Sequence, residues 1–332
     1  MSLLLGITPF FPLKLLGAEQ PAEPAQTTQP AQPAQPTQPD EESDLFSPID
    51  APRDYLSGEL ASFATTIDRF FGDDRNYQES NQSVFQLDLA RNSGYGTDHK
   101  TSLAGRINLR LPSTEGRFHL LLETDPEKNI AAEPTPNQTV LNTQVAAPAS
   151  YSLAARYVKE LQDVWHFSTD AGLKFPIPVH PFVRTRGSYS IPLSSEWRLK
   201  ATQSVYWFNN IGVGETTQLD VEHFLSEPVL FRATTTATWL RDKHNFDLRQ
   251  DLSIYDTVSE RTALLYQASA LGVSNPQYEL TEYVLSILYR FRLHKEWMYF
   301  ELSPQVHFPK INNFQSGFSL NMRLEMLFDK SK

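Results

Sequence analysis

The chain has 332 residues, no cysteine and a formal net charge of -10 at pH 7. The lack of thiols excludes disulfides, thiol catalysis and cysteine-based metal sites, and the acidic balance excludes a nucleic-acid binder, which needs a basic face. Mean hydropathy is negative, and no apolar run long enough for a membrane helix follows the N-terminus, so any membrane crossing has to be made by strands.

Residues 1–18, MSLLLGITPFFPLKLLGA, show a short apolar core and small residues before Glu19, the pattern of a cleaved export signal. The pattern is imperfect, because Pro9, Pro12 and Lys14 interrupt the core and no basic residue precedes it. Residues 19–49 are rich in Pro, Ala and Gln. Such a composition removes backbone donors and offers nothing to bury, so it predicts an extended linker. Residues 50–75 then change character. Leu56, Leu60, Phe63, Ile67, Phe70 and Phe71 recur at spacings of three and four, with Asp50 placed to cap the start. This predicts one amphipathic helix with a single apolar stripe. A lone helix is marginal in water, so the stripe is expected to rest on the chain's own barrel, with the membrane surface or a periplasmic protein as the other candidate partners.

From residue 83 onward, alternating segments are separated by turn residues. The segments are 83–91, 101–111, 117–125, 150–160, 164–175, 181–191, 196–208, 216–226, 228–241, 244–255, 260–271, 278–293, 297–307 and 316–328. That makes about fourteen strands, most of them at or above the roughly 9 to 11 residues that a tilted membrane strand requires. One face carries Leu103, Ile107, Leu109, Phe118, Leu120, Leu122, Trp165, Phe167, Leu173, Phe175, Phe246, Leu248, Leu252, Ile254, Leu285, Ile287, Tyr289 and Phe291. These are expected to face lipid. Trp165, Trp197, Trp207, Trp239 and Trp297 lie near strand ends, where an amphipathic ring suits a membrane interface.

The last segment alternates most regularly. Phe318, Leu320, Met322, Leu324, Met326 and Phe328 occupy one face, with Ser319, Asn321, Arg323 and Glu325 between them, and only Leu327 breaks the period. This ending resembles the C-terminal assembly strand of Gram-negative outer-membrane β-barrels, although the tail 329–332 follows the aromatic. The resemblance implies an all-β, antiparallel up-and-down transmembrane barrel, outer-membrane lipid and the barrel assembly machinery as partners, and a periplasmic N-terminal segment. If the first strand starts on the periplasmic side, the connections at 112–116, 162–163, 192–195, 227, 256–259 and 294–296 fall inside. Those at 92–100, 126–149, 176–180, 209–215, 242–243, 272–277 and 308–315 fall outside, and most of these are longer.

The opposite face is the candidate pore lining. It carries Arg106, Arg110, Arg156, Lys174, Arg184, Arg186, Arg198, Lys200, Arg232, Arg249, Arg290, Arg292 and Arg323. It also carries Asp88, Glu123, Glu160, Asp170, Asp220, Glu222, Asp247, Asp251, Glu282, Glu301 and Glu325. Opposed charged walls would select polar or charged solutes, with Arg184, Arg186, Arg198 and Lys200 as the most basic wall. The same residues would equally interlock as ion pairs that fill the lumen. His119, His166 and His307 fall on this face without an adjacent serine, and His223 and Ser226 fall on opposite faces of one strand. No calcium loop, zinc motif, phosphate-binding loop or cofactor signature occurs. The sequence therefore points first to a passive channel for small polar or charged solutes. A structural barrel tethered to a periplasmic partner through residues 50–75 is the alternative, and an outer-membrane lipid-modifying enzyme is the least favoured reading.

Overall fold

The computed structural model describes residues 66–68, 70–71, 83–95, 97–111, 117–126, 150–161, 164–175, 178–226, 228–241, 244–275, 277–294 and 297–329, apart from the side chains of 97–100, 160–161 and 329. The export signal, the linker, Leu56, Leu60, Phe63, the side chain of Glu160 and the greater part of the connection at 126–149 lie outside the described residues. Fourteen strands close into one antiparallel barrel. In chain order they are β1 (Val84–Gly94), β2 (Thr97–Arg110), β3 (Phe118–Thr124), β4 (Tyr151–Leu161), β5 (Trp165–Phe175), β6 (His180–Pro192) and β7 (Trp197–Phe208). The second half comprises β8 (Gly212–Ser226), β9 (Val229–Leu240), β10 (Asn245–Ser259), β11 (Thr262–Val273), β12 (Glu279–His294), β13 (Met298–Pro309) and β14 (Gly317–Asp329).

Each strand pairs with its sequence neighbours, and β1 closes on β14 from Val84 opposite Asp329 to Gly94 opposite Ser319. Closure satisfies every edge, which a wall immersed in hydrocarbon requires because lipid offers no hydrogen bonds. Period-two patterning decides what faces where. Leu103, Leu173, Leu252, Leu285 and Ile287 are exposed on the outside, whereas Arg156, Asp220, Arg290 and Glu325 are among the most buried side chains inside.

Aromatic pairs ring the end that carries the barrel's two chain ends. Trp165 lies 4.3 Å from Tyr189, Trp197 lies 4.1 Å from His223, and Trp297 lies 5.0 Å from Phe328, which in turn stacks on Phe85 at 5.6 Å. These rings form the expected interfacial girdle.

Two details depart from the sequence expectation, and a third, the direction of Leu327, follows its period of two. The connection expected at 92–100 is shorter, because β1 runs on through Asn92, Ser93 and Gly94 and β2 begins at Thr97. Gly94 makes this possible with φ +107°, where an added Cβ would collide with the carbonyl of Phe318. Connections at this end are otherwise short as well, so the asymmetry in loop length rests mainly on 125–150. Finally, Leu327 points inward, into a cluster with Val84 and Tyr299.

Candidate functional site: the lumen wall and its N-terminal segment

Residues 66–68 and 70 are helical, and the Phe71 amide donates to the Ile67 carbonyl at 2.9 Å. This piece of the predicted helix sits within the barrel's inner wall. Ile67 and Phe71 are buried with Leu230, Tyr255, Ala263, Leu265 and Leu288, and Phe70 packs between that cluster and the one around Val84, Tyr299 and Leu327. All these wall residues lie near the strand ends where the chain enters and leaves the barrel. The inner wall therefore turns apolar at one mouth, where the helical stripe meets it. Edge-to-face contacts fix the rings, with Phe71 5.1 Å from Tyr255 and Phe70 5.7 Å from Tyr299. Asp68 adds an ion pair with Arg232 at 2.7 Å. That guanidinium also lies 5.0 Å from the Tyr255 ring centroid.

Above this apolar zone the wall is held by arginine–carboxylate networks. On β3 to β6, Asp170 accepts from Arg156 Nε at 2.6 Å and from Arg184 Nε at 2.5 Å, while Arg184 Nη2 donates to Glu123 at 2.7 Å. On β7 to β9, Glu222 accepts from Arg198 Nε at 2.6 Å and from Arg232 Nε at 2.8 Å, which links the wall to Asp68. On β12 to β14, Arg290 donates to Glu301 and to Glu325, the latter at 2.9 and 3.1 Å. Arg323 donates to Glu301 twice at 2.7 Å, and its Nη1 lies 3.6 Å from Asp88. The smaller groups are Arg249 with Asp251, and Asp220 with Gln218 and Thr234. The three larger networks set opposite charges on neighbouring strands, while Arg249 and Asp251 pair within β10, and each charge named here meets an opposite charge or a hydrogen bond. Such pairing is the condition under which buried charges persist.

Of the predicted lining residues, Arg106, Glu123, Arg156, Asp170, Lys174, Arg184, Arg186, Lys200, Asp220, Glu222, Arg232, Asp251, Glu282, Arg290, Arg323 and Glu325 are buried on the inner face. Arg198, Asp247, Arg249 and Arg292 are half-buried, and Arg110 is exposed because it ends β2. The basic wall is not left as a free anion contact: Arg184 and Arg198 are tied to Asp170, Glu123 and Glu222.

Sequence reasoning missed two arrangements. One is Asp68, whose role depends on where the helix docks. The other is His307, which lies between Glu282 and Ser319 on three adjacent strands, at 3.0 Å and 2.8 Å respectively. Over this group stands Tyr95, from the β1–β2 turn, with its ring centroid 5.6 Å from that of His307. Burial, with the Glu282 charge adding to it, pushes the Tyr95 phenol above its usual range. Among the described residues, no group of three or more His, Asp and Glu side chains is arranged to hold a metal ion.

Neither a protein-family model nor a curated protein sequence matches the chain. Solved structures with a similar barrel include OmpT of Vibrio cholerae lacking loop L8 (10% identity, TM-score 0.44, covering 74% of this chain and 98% of that one). Others are the channel DcaP of Acinetobacter baumannii (9%, 0.42, 74% and 96%) and the NanC porin (8%, 0.39, 72% and 98%). The likeness is one of fold alone, a closed β-barrel.

Proposed function

We propose that the protein is an outer-membrane passive channel for small polar or charged solutes, held closed in this state by its own N-terminal segment. The observation that carries this reading is the seat of Ile67, Asp68, Phe70 and Phe71 on the inner wall at one mouth of the barrel. That mouth is periplasmic in this reading, since the chain enters and leaves the barrel there. Opening requires the segment to leave, and among the described residues the contacts that resist it include the Asp68–Arg232 ion pair and the apolar seats of Ile67, Phe70 and Phe71.

The saturated arginine–carboxylate networks favour a second reading, a structural barrel whose lumen stays filled and whose N-terminal region serves as a tether. Single-channel conductance of the full-length protein in a planar bilayer, compared with Asp68→Arg, separates the two. The substitution places a positive charge against Arg232 and should expel the segment. A quiet wild type with a conducting variant supports the gated channel, whereas silence in both supports the filled barrel.

A further inference from the structure

On β7, β8 and β9 the inner wall carries neutral polar side chains between the Glu222 network and the apolar cluster around Phe182, Tyr206 and Phe208. Strand register sets them in two rows. Ser204 lies opposite Thr216 and Thr216 opposite Thr238, while Thr202 lies opposite Gln218 and Gln218 opposite Thr236. Alternation turns these residues inward, since Thr217 and Leu219 between them are exposed. Directly paired positions place their Cβ atoms about 5 Å apart, so the three side chains of one row can reach a single small molecule together.

Asp220 sets how Gln218 faces. Gln218 Nε2 donates to both Asp220 oxygens, at 2.8 and 3.0 Å, and Thr234 donates to the same carboxylate at 2.7 Å. A carboxylate only accepts, so the amide nitrogen is committed to Asp220 and Oε1 is directed away from it. Gln218 is 2% exposed, and its Oε1 is a buried acceptor that no donor meets among the described residues. Leaving such an atom unpaired costs about 1–3 kcal/mol. On either side of it in the row, the hydroxyls of Thr202 and Thr236 make no hydrogen bond among the described residues, and neither does that of Ser204 in the next row. Thr216 and Thr238, by contrast, bond to each other at 3.1 Å.

We infer that Thr202, Gln218 and Thr236, with Ser204, form a lumenal subsite for a neutral, hydroxyl-rich solute such as an oligosaccharide. The inference rests on the channel reading for access, because these side chains are buried in this state and a solute reaches them through the lumen. Sugar hydroxyls both donate and accept: one donates to Gln218 Oε1, and its neighbours pair with protein hydroxyls that serve either role. The row ends at Ser188 on β6 and Arg249 on β10. Arg249 already donates to Asp251 at 2.7 Å, and Asp220 is held by Gln218 and Thr234. A charged solute has to break into such pairs, whereas a neutral one leaves them intact. Tyr206 borders the upper row, its ring lying where Gly214 lacks a Cβ, and supplies an apolar edge for the C–H face of a sugar ring.

The test uses the full-length protein carrying Asp68→Arg, in amine-oxide micelles free of sugar headgroups, titrated calorimetrically with maltotriose and separately with trigalacturonate. Retention of the heat-induced gel shift shows that each variant is folded. Saturable maltotriose binding is expected, weakened by about 10-fold or more in Gln218→Leu and in the double variant Thr202→Val with Thr236→Val, with trigalacturonate bound more weakly than maltotriose. No saturable maltotriose binding overturns the subsite, as does unchanged affinity in the folded double variant. Trigalacturonate bound as tightly as maltotriose overturns the neutral class and moves the contact to Arg186 and Lys200 nearby. Conductance of the same Asp68→Arg protein tests the channel reading apart from this. Conductance without maltotriose binding leaves the channel and removes the subsite, whereas binding that the variants lose, in a silent barrel, keeps the subsite and removes the channel.

Discussion

Arg290, Arg323, Glu301 and Glu325 show what single residues contribute. All four are buried, and each carboxylate is shared by both guanidiniums. Arg290 also lies 4.2 Å from the Tyr299 ring centroid. Removing one cation leaves carboxylates that burial penalises and that hold only part of their former pairing. Arg323→Leu is therefore expected to destabilise the barrel by about 3–5 kcal/mol, read as a shift in the denaturant midpoint of reversible unfolding. Replacing Glu301 by Leu in the same molecule should restore part of that loss, because the pair is then removed together. A double variant no more stable than the single would show that the network does not hold Glu301 in place. Gly94 works through the backbone instead. At φ +107°, with Phe318 O against the space a Cβ would fill, Gly94→Ala is expected to cost about 1–3 kcal/mol in the same assay.

Among the elements, the segment at 66–71 and strand β14 show how far the sequence can be read. Phe71 is 2% exposed and sits in the cluster around Leu230 and Leu288, and a buried Phe→Ala change typically costs about 3–5 kcal/mol. None of the segment's described residues joins a strand ladder, so the loss should appear as local undocking while the barrel stays intact. Hydrogen exchange of vesicle-embedded Phe71→Ala should show protection of the amide at position 71 reduced by roughly 100-fold or more, with β9 to β12 unchanged. Slowed exchange, or exchange lost across those strands, would contradict a detachable segment. The strands themselves were legible because alternation survives in nearly all of them, and the stripe of Ile67, Phe70 and Phe71 foretold an apolar seat. Leu327 also carried a signal: one leucine out of phase at the end of β14 marks where the inner wall becomes apolar to receive Phe70. The extent of β1 was not legible, since Asn92, Ser93 and Gly94 read as turn residues and only the pairing with β2 and β14 keeps them extended. Nor was the Ser319–His307–Glu282 group, whose members are 12 and 25 residues apart and meet only through strand register.

For the molecule as a whole, stability rests on an inversion of the usual soluble arrangement, with hydrocarbon outside and paired charges within. The consequence is that the cost of an outward charge depends on depth, while the closed ladder itself is unaffected. Leu285 and Leu252 each lie beside Ala268 in the ladders, so they share one height in the middle of the wall. Leu293 stands near the end of β12, close to the aromatic ring formed by Trp297 and Phe328. All three leucines are exposed on the outer face. Leu285→Arg should cost about 2–4 kcal/mol and Leu293→Arg about 0–1 kcal/mol, the difference between the bilayer midplane and its interface. Reversible folding into lipid vesicles measures both. A soluble sandwich of the same strands would place these side chains in water, and the two arginines would then cost similar, small amounts. Equal costs would therefore reject the membrane barrel, whereas a gap of a few kcal/mol ties the exposed leucines to lipid.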